Sequence, residues 1–199
     1  MKKTHKKLLA LVWGIILINC TAVAQVASKA DDLLRQLGSP ETSARAAESL
    51  IRLGSSDQTA RAYISVRIPA LIYSDPDINF SEWSNAVRIA GELKIAQASK
   101  ALGTWVGDRR LWPPETELSD GYTLRNDPAA KALSQIGNPA IPTLVVVLNG
   151  NVRARRSAVR ALEIIGTARA IAALRKHEPL EKDDDLKSYI DDVLAAHDK

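Results

Sequence analysis

Two groups of ionisable side chains in this sequence are candidates for chemistry. The first is an acidic stretch near the carboxyl end, where closely spaced carboxylates could act as general acid and general base. Its members are Glu178, Glu181, Asp183, Asp184 and Asp185. Carboxylates this close together in one polar connection repel one another, which suits a surface and not a pair tuned for proton transfer. We therefore expect a solvated charge run.

The second group is a basic cluster. Between residues 144 and 176 the chain has seven basic residues and a single acid, Glu163. The basic residues are Arg153, Arg155, Arg156, Arg160, Arg169, Arg175 and Lys176. Because a guanidinium can bind a carboxylate or phosphate through two N–H groups at once, Arg155 and Arg156 are candidate partner-binding residues. Three uses stay open: intramolecular pairing with the acidic stretch, an acidic partner or anionic envelope surface, and nucleic acid.

Histidine and nucleophile chemistry has little support. After residue 24 the chain has two histidines, His177 and His197, and neither has a partner at a ligand or catalytic spacing. We find no H-E-x-x-H motif, no G-x-S-x-G motif and no phosphate-binding glycine loop. The sequence therefore predicts no metal, no cofactor and no enzymatic activity.

The segment Asp75-Pro76-Asp77-Ile78-Asn79 has the acid spacing that begins a calcium loop. Phe80 stands where the loop needs glycine, and Ala86 stands where it needs a bidentate acid. A turn followed by a helix capped at Ser81 explains the same residues.

The elements that must position all these side chains recur along the chain. Residues 132–137 (ALSQIG) match residues 161–166 (ALEIIG) at a spacing of 29. Similar pieces follow each glycine, at 140–144 (AIPTL) and 170–174 (AIAAL). Earlier copies are residues 49–54 (SLIRLG) and residues 89–94 (IAGELK), the latter with Lys94 in the glycine slot and followed by 98–102 (ASKAL).

Each copy is best explained as two short antiparallel helices. The first helix ends at the glycine, which tolerates the left-handed conformation that closes a helix. In the last copy Val152, Val159, Leu162 and Ile165 fall on one helical face. One hairpin cannot bury such a face alone, so the copies must stack. The sequence predicts an all-α solenoid of about four helix pairs.

The pattern A-L-x-x-I-G-x-x-x-A-I-x-x-L resembles the short HEAT-like repeats of phycobilisome lyases. The resemblance covers about residues 30–180 in four copies and is strongest in the last two. It implies an armadillo-type superhelix of antiparallel helix pairs. It does not carry lyase activity over, because the sequence shows no substitute for a pigment-attachment site.

Both ends of the array have capping signals. Asp31 or Asp32 can begin the first helix, which then runs to Gly38. At the other end, residues 183–185 (DDD) supply an N-cap and first-turn acids, and apolar residues then follow at helical spacing. We interpret residues 183–199 as a closing helix with a polar outer side.

Residues 107–127 interrupt the repeat. Pro113 and Pro114 exclude a helix there, and Asp127-Pro128 restarts one with an aspartate N-cap. Insertions in repeat arrays are often on the binding face, and this one has residue types that are favoured at binding hot spots. The candidate binding residues are Trp112, Tyr122, Arg109, Arg110 and Arg125. In the alternative interpretation Trp112 and Leu111 only hold the loop against the solenoid.

Residues 1–24 form the pattern of a secretory signal peptide. Basic residues 2–7 precede an apolar run that ends at Ile18, and Ala22-Val23-Ala24 is a small-x-small site before Gln25. Cleavage between Ala24 and Gln25 would leave a HEAT-like domain of residues 25–199. Two alternatives stay open: lipidation at Cys20, and an uncleaved membrane anchor.

The net charge of +4 comes from this leader, because its four lysines leave 23 basic and 23 acidic residues elsewhere. The body therefore gives no global electrostatic argument for nucleic acid. We expect an exported, periplasmic or secreted, non-catalytic module that binds or scaffolds a protein partner along a groove lined by the second helices of the units. We expect contact with a membrane only through a lipid anchor. Alternatives are an enzyme or accessory factor acting on an anionic envelope polymer, and a nucleic-acid-binding HEAT-like protein.

Overall fold

A computed structural model describes residues 23–111 and 127–198, and within these ranges it contains ten α-helices and no strand. Residues 23–36 form α1. The other helices are α2 (Ser43–Ser56), α3 (Gln58–Tyr73), α4 (Phe80–Glu92), α5 (Ser99–Gly103), α6 (Pro128–Ile136), α7 (Ile141–Val147), α8 (Val152–Ile165), α9 (Ala168–His177) and α10 (Asp184–His197). Short 3-10 turns join several of them.

The helices stack in two layers. In the first layer α2 packs on α4, α4 on α6, α6 on α8 and α8 on α10. In the second layer α3 packs on α5, α5 on α7 and α7 on α9. Each second-layer helix also packs on the first-layer helix that follows it, α3 on α4, α5 on α6, α7 on α8 and α9 on α10. This is the α-solenoid of helix pairs that the repeat predicts, with the α2–α3, α4–α5, α6–α7 and α8–α9 pairs as its four units.

The glycine slots of the repeat close helices as predicted in three of the four copies. Gly166 has φ 60° and Gly137 has φ 81°, and Lys94 in the equivalent slot has φ 50°. Lys94 is the single non-glycine among the described residues with positive φ, so the slot at residue 94 keeps the positive φ without a glycine. The prediction is wrong for Gly54, which lies inside α2. A Cβ on Gly54 would meet Leu93 Cδ1 at 2.7 Å, so glycine there allows close helix packing.

Helix starts follow the local capping chemistry. The predicted N-caps Asp127 and Asp183 are confirmed, since each carboxylate accepts a hydrogen bond from the backbone three residues ahead. The predicted cap at Ser81 is wrong: α4 begins at Phe80, and the side chain of Asn79 accepts the hydrogen bond from Glu82 N–H. The first helix does not start at Asp31 or Asp32, because residues 23–30 are already helical. Asp31 instead binds α3, through Tyr63 Oη at 2.7 Å and Arg67 at 2.8 Å.

The core runs along the whole array between the two layers. It consists almost entirely of Ala, Leu, Ile and Val, with Trp83 the largest fully buried side chain. Val159 and Leu162 of the predicted α8 face are fully buried, and Ile165 is partly buried. Val152, the first residue of α8, is 39% exposed and does not share this burial. A core without a large aromatic cluster suits the close helix spacing that Ala and Gly permit.

The predicted insertion lies between α5 and α6, that is, between the second and third units. Its first residues pack on the array. Gly107 is buried with φ 77°, and a Cβ there would lie 2.7 Å from the backbone of Ala154 on α8. Leu111 is also buried, which agrees with the proposal that this residue holds the loop against the solenoid. The proposed role of Trp112 in the same contact lies outside the described residues.

Candidate functional site

Aromatic residues gather where the insertion leaves the second unit. The Trp105 indole N–H donates a 2.6 Å hydrogen bond to the carbonyl of Ile72 at the end of α3. Trp105 meets buried Trp83 edge-on at a centroid distance of 6.1 Å, and Trp83 stacks with Phe80 at 6.0 Å. Phe80 is 52% exposed. The chain of rings thus runs from the core to the surface at the start of α4.

Arg110 crosses from the insertion to the preceding connection, between α3 and α4. Its guanidinium lies 5.6 Å from the centroid of the Trp105 ring and pairs with Asp77 at 2.7 Å and Asp108 at 2.8 Å. A longer contact of 3.7 Å joins it to Asp75. The hydrogen bond from Arg110 lowers the pKa of the Asp108 carboxyl. These residues hold the two connections together, and we call the group of Asp75, Asp77, Phe80, Trp105, Asp108 and Arg110 the Arg110 junction.

The surface around the Arg110 junction is unusually apolar for a connection. Ile78 is 86% exposed and Tyr73 is 50% exposed, on either side of the junction acids. Together with Phe80 they place three large apolar side chains on one short stretch, residues 73–80. Exposed aromatic and aliphatic groups beside an anchored arginine are the composition that protein-binding hot spots favour.

The basic cluster on α8 is held by the acidic stretch. Arg155 donates from Nε and one terminal nitrogen to the two carboxylate oxygens of Glu181, at 2.9 and 2.7 Å. The Glu181 side chain has no exposure and also accepts from the backbone N–H groups of Lys182 and Asp183. His177 Nε2 lies 3.2 Å from the same carboxylate. We call Arg155, His177 and Glu181 the Arg155 junction.

Burial by itself raises the pKa of Glu181, but the hydrogen bonds from Arg155, the backbone and His177 outweigh it and lower the pKa to about 2. Arg156 pairs with Asp183 at 3.0 Å, and the same aspartate caps α10. The prediction of a solvated run is therefore wrong for Glu181, because its carboxylate lies inside a network of hydrogen-bond donors, whereas Asp184 and Asp185 are exposed as predicted. For Arg155 and Arg156 these contacts favour the intramolecular use among the three that stayed open. His177, for which the sequence shows no partner at a ligand or catalytic spacing, contacts the Glu181 carboxylate within this network.

Asp127 connects the start of the insertion to the third and fourth units. The carboxylate is 1% exposed and accepts hydrogen bonds from Gly107 N–H at 2.8 Å, Ala130 N–H at 2.9 Å and Ser157 Oγ at 2.6 Å. Burial raises the pKa of this carboxyl, and the hydrogen bond from Ser157 opposes that rise. The sequence identifies Asp127 only as an N-cap. Nothing local in the sequence predicts its contacts with residues 20 and 30 positions away.

Of the five candidate binding residues predicted in the insertion, Arg110 is the one whose side-chain contacts the structure describes, and it lies in the Arg110 junction. Arg109 begins the 3-10 turn Arg109–Leu111. Trp112, Tyr122 and Arg125 lie outside the described residues, as does Cys20. Ala24 and Gln25 are exposed within α1. Sequence reasoning missed Trp105, Phe80 and Ile78, although the closeness of Trp83, Trp105 and Trp112 in sequence was an available signal.

Metal-ligand sets and membrane-spanning helices are both absent from the part of the chain that the structure describes. Over residues 23–111 and 127–198, no three His, Cys, Asp or Glu side chains gather into a set that could ligate a metal ion. Of the helices described in those ranges, none combines the length and the apolar character needed to cross a bilayer. Asp75 and Asp77, which begin the calcium-like spacing, pair instead with Arg110.

The comparison with known families agrees with this architecture. Residues 154–177 match the model of the PBS lyase HEAT-like repeat. The match spans α8 and α9 apart from the first two residues of α8, which is one complete helix pair of the array. The α8–α9 pair of this chain is therefore a HEAT-like repeat. Among curated proteins no significant match to the chain is found.

Proposed function

We propose that this protein is a non-catalytic interaction module of the bacterial cell envelope, and that the Arg110 junction with Tyr73 and Ile78 forms part of its contact surface. HEAT-like repeats stack into extended surfaces that commonly mediate protein interactions. The observation that carries the proposal is the exposure of Ile78, Phe80 and Tyr73 around an arginine that is already held in place.

The geometry supports binding at this surface in two ways. First, the Arg110 guanidinium is fixed by Asp77 and Asp108 and by the Trp105 ring, so little side-chain entropy is lost when a partner contacts it. Second, Trp105 is anchored through its N–H to α3, which makes the platform under Arg110 rigid. The insertion continues from this point into residues 112–126, which include Trp112, Tyr122 and Arg125.

The envelope location rests on the leader pattern at residues 1–24, whose basic, apolar and small-residue segments follow the order that export requires. The protein partner is supported by the neutral charge of the body outside that leader. Nucleic-acid binding would need a net basic domain or an available arginine cluster. Arg155 and Arg156 already pair with Glu181 and Asp183.

A photo-crosslinking amino acid tests the contact surface directly. Cells express the chain with its own leader and with the crosslinker at Ile78, or at Ile164 as the matched control. Both isoleucines are exposed, at 86% and 55%, but Ile164 lies on α8 away from the junction. We expect a recurrent crosslinked protein from position 78 and not from position 164, and its yield should fall in a Phe80→Ser background. Equal products from both positions, or none from position 78, would contradict the proposed surface.

Mass spectrometry of the purified chain tests the location. A mature protein that begins at Gln25 in the periplasmic or secreted fraction supports export by the predicted route. A lipidated amino terminus at Cys20 keeps the module and places it on a membrane. An unprocessed chain in the cytosolic fraction would rule the envelope proposal out.

A further inference from the structure

The second layer of the array contains a face without acidic residues. None of the helices α5, α7 and α9, each described in full, has an aspartate or glutamate. α7 (Ile141–Val147) has no charged residue at all. The first layer differs, since α8 carries Glu163 and α10 carries several aspartates. The body as a whole is formally neutral, but the charged side chains of α5 and α9 are all basic.

The exposed side chains of these helices form an apolar centre with basic flanks. On α7, Val146 is 70% exposed, Val145 is 40% exposed, and Pro142 is exposed beside them. α7 packs against α5 on one side and α9 on the other. Lys100 of α5 and Arg169 and Lys176 of α9 are exposed on those flanks. We call the surface made by Lys100, Pro142, Val145, Val146, Arg169 and Lys176 the acid-free face.

The charges of the acid-free face are available for a partner. Among the described residues, Lys100, Arg169 and Lys176 make no ion pair and no side-chain hydrogen bond. The neighbouring acids are already engaged: Asp198 pairs with Arg175 at 2.6 Å, and Glu178 pairs with Lys187. The binding of an oppositely charged, complementary surface over exposed like charges and an apolar strip is favourable.

We propose that the acid-free face docks an acidic amphipathic helix of a partner protein. The apolar part of the acid-free face is the exposed side of α7, a single short helix. A helix with its side chains is about 10 Å across, so one partner helix can lie along α7. Carboxylates on both edges of that helix would meet Lys100 on one side and Arg169 and Lys176 on the other. This inference rests on the proposed interaction function and names the chemistry of a partner at a second surface.

A membrane would present negative charge too, but the face does not fit one as well. Proteins that rest on bilayers use Trp and Tyr at the interface, and α5, α7 and α9 contain no aromatic ring apart from the buried His177 imidazole. The exposed aromatic residues of the described chain lie at the Arg110 junction instead. A protein helix with an apolar stripe is therefore the better complement.

The test uses the full chain and two synthetic helical peptides of about 18 residues, long enough to form a helix. Both carry the same Leu stripe at i, i+3, i+4 and i+7, and the edges are glutamate in one and lysine in the other. Fluorescence anisotropy should show saturable binding of the glutamate peptide that weakens with salt, and none of the lysine peptide. Vesicles of phosphatidylglycerol and phosphatidylethanolamine supply the competing surface.

Charge-reversal variants locate the binding. Val146→Glu and the double change Arg169→Glu with Lys176→Glu should each lower the affinity for the glutamate peptide by about tenfold or more. The loss of a hot-spot contact has an effect of this size. Lys131→Glu and Ile164→Glu change exposed residues of the first layer and should leave binding unchanged. Circular dichroism confirms folding, and Val146→Asn repeats the test if Val146→Glu does not fold.

Three results would overturn the inference. The first is that the glutamate peptide shows no saturable binding, and the second is that the first-layer variants lower its affinity as much as the acid-free-face variants do. The third is that the chain binds vesicles but not the peptide, and that Val146→Glu abolishes the vesicle binding. Crosslinking from Ile78 is independent of all three. A recurrent partner at Ile78 with no peptide binding would leave the proposed function standing and reject the acid-free face alone. Peptide binding without a partner at Ile78 would reject the Arg110 junction alone.

Discussion

The Arg110 junction and the Arg155 junction are built from the same parts and differ in burial. In each, an arginine pairs with carboxylates elsewhere in the chain: Arg110 of the insertion reaches the α3–α4 connection, and Arg155 of α8 reaches the connection between α9 and α10. The Arg110 pairs are open to water, with side-chain exposures of 48% for Arg110 and 62% for Asp77. Glu181 at the Arg155 junction has no exposed side chain. Burial makes an ion pair costly to break, whereas exposed pairs contribute little to stability. We infer that the Arg155 junction fixes the end of the array and that the Arg110 junction is available for recognition.

Glu181→Ala should give the largest effect that separates the two junctions. It leaves Arg155 with no carboxylate and removes the acceptor of two backbone N–H groups. We expect a loss of about 3 kcal/mol in the free energy of unfolding, the size found when one partner of a buried pair is removed. Urea unfolding followed by circular dichroism measures it. A loss below about 1 kcal/mol would mean that the two junctions do not differ in the way that burial implies.

The pH dependence of stability sharpens the same contrast. Because the folded pKa of Glu181 is about 2 and its ordinary value is 4.5, the ionised carboxylate stabilises the folded state above pH 4.5. That stabilisation is lost as the pH falls from about 5 toward 2, since the unfolded chain takes up the proton first. Unfolding free energies at several pH values should fall less steeply for Glu181→Gln than for the unmodified chain. If the unfolding free energy fell equally steeply with pH in both proteins, ionised Glu181 would not be the stabilising group.

Asp127→Ala tests the link between the junctions. It removes the acceptor for buried Gly107 N–H and Ser157 Oγ and the N-cap of α6, so we expect a cost of about 2 kcal/mol. Hydrogen exchange should accelerate at the Gly107 amide and at the start of α6 more than in α2. Uniform acceleration over the array would indicate only global destabilisation.

Arg110→Gln should have the smallest effect on stability and a clear effect on binding. Its exposed ion pairs predict a loss under about 1 kcal/mol. The yield of the crosslinked partner from position 78 should fall, because the anchored cation over Trp105 is lost. Arg35→Gln is the matched control, since Arg35 pairs with Asp32 on the exposed side of α1. If both variants leave the yield unchanged, the junction is structural and not part of the contact surface.

Much of the architecture could be predicted from residue spacing. The repeated A-L-x-x-I-G pattern predicts paired helices, and Asp127 and Asp183 predict two of the helix starts, because these signals act within a few residues. The predictions fail where distant residues decide. Gly54 looks like a helix end, but α2 continues to Ser56, and Gly54 lies where a Cβ would collide with Leu93. Asp31 looks like a helix start, but Tyr63 and Arg67 use its carboxylate.

The candidate surfaces show the same division. The sequence identified arginines at positions 110, 155 and 156 as residues that could bind, because their chemistry does not depend on context. It did not distinguish the buried pair of Arg155 from the exposed pairs of Arg110, and it did not reveal that α5, α7 and α9 form a surface without acidic side chains.

The sequence by itself determined the unit: helix pairs closed at a glycine slot, repeated until each apolar face is covered. Local propensity and hydrophobic period suffice for that, because both are properties of short segments. Only the tertiary structure decided which charges pair within the chain and which stay exposed. Residues 155 and 181, or 77 and 110, meet through the stacking of whole units. The strength of an ion pair depends on the distance and burial that stacking creates, so it cannot be predicted from either sequence segment alone.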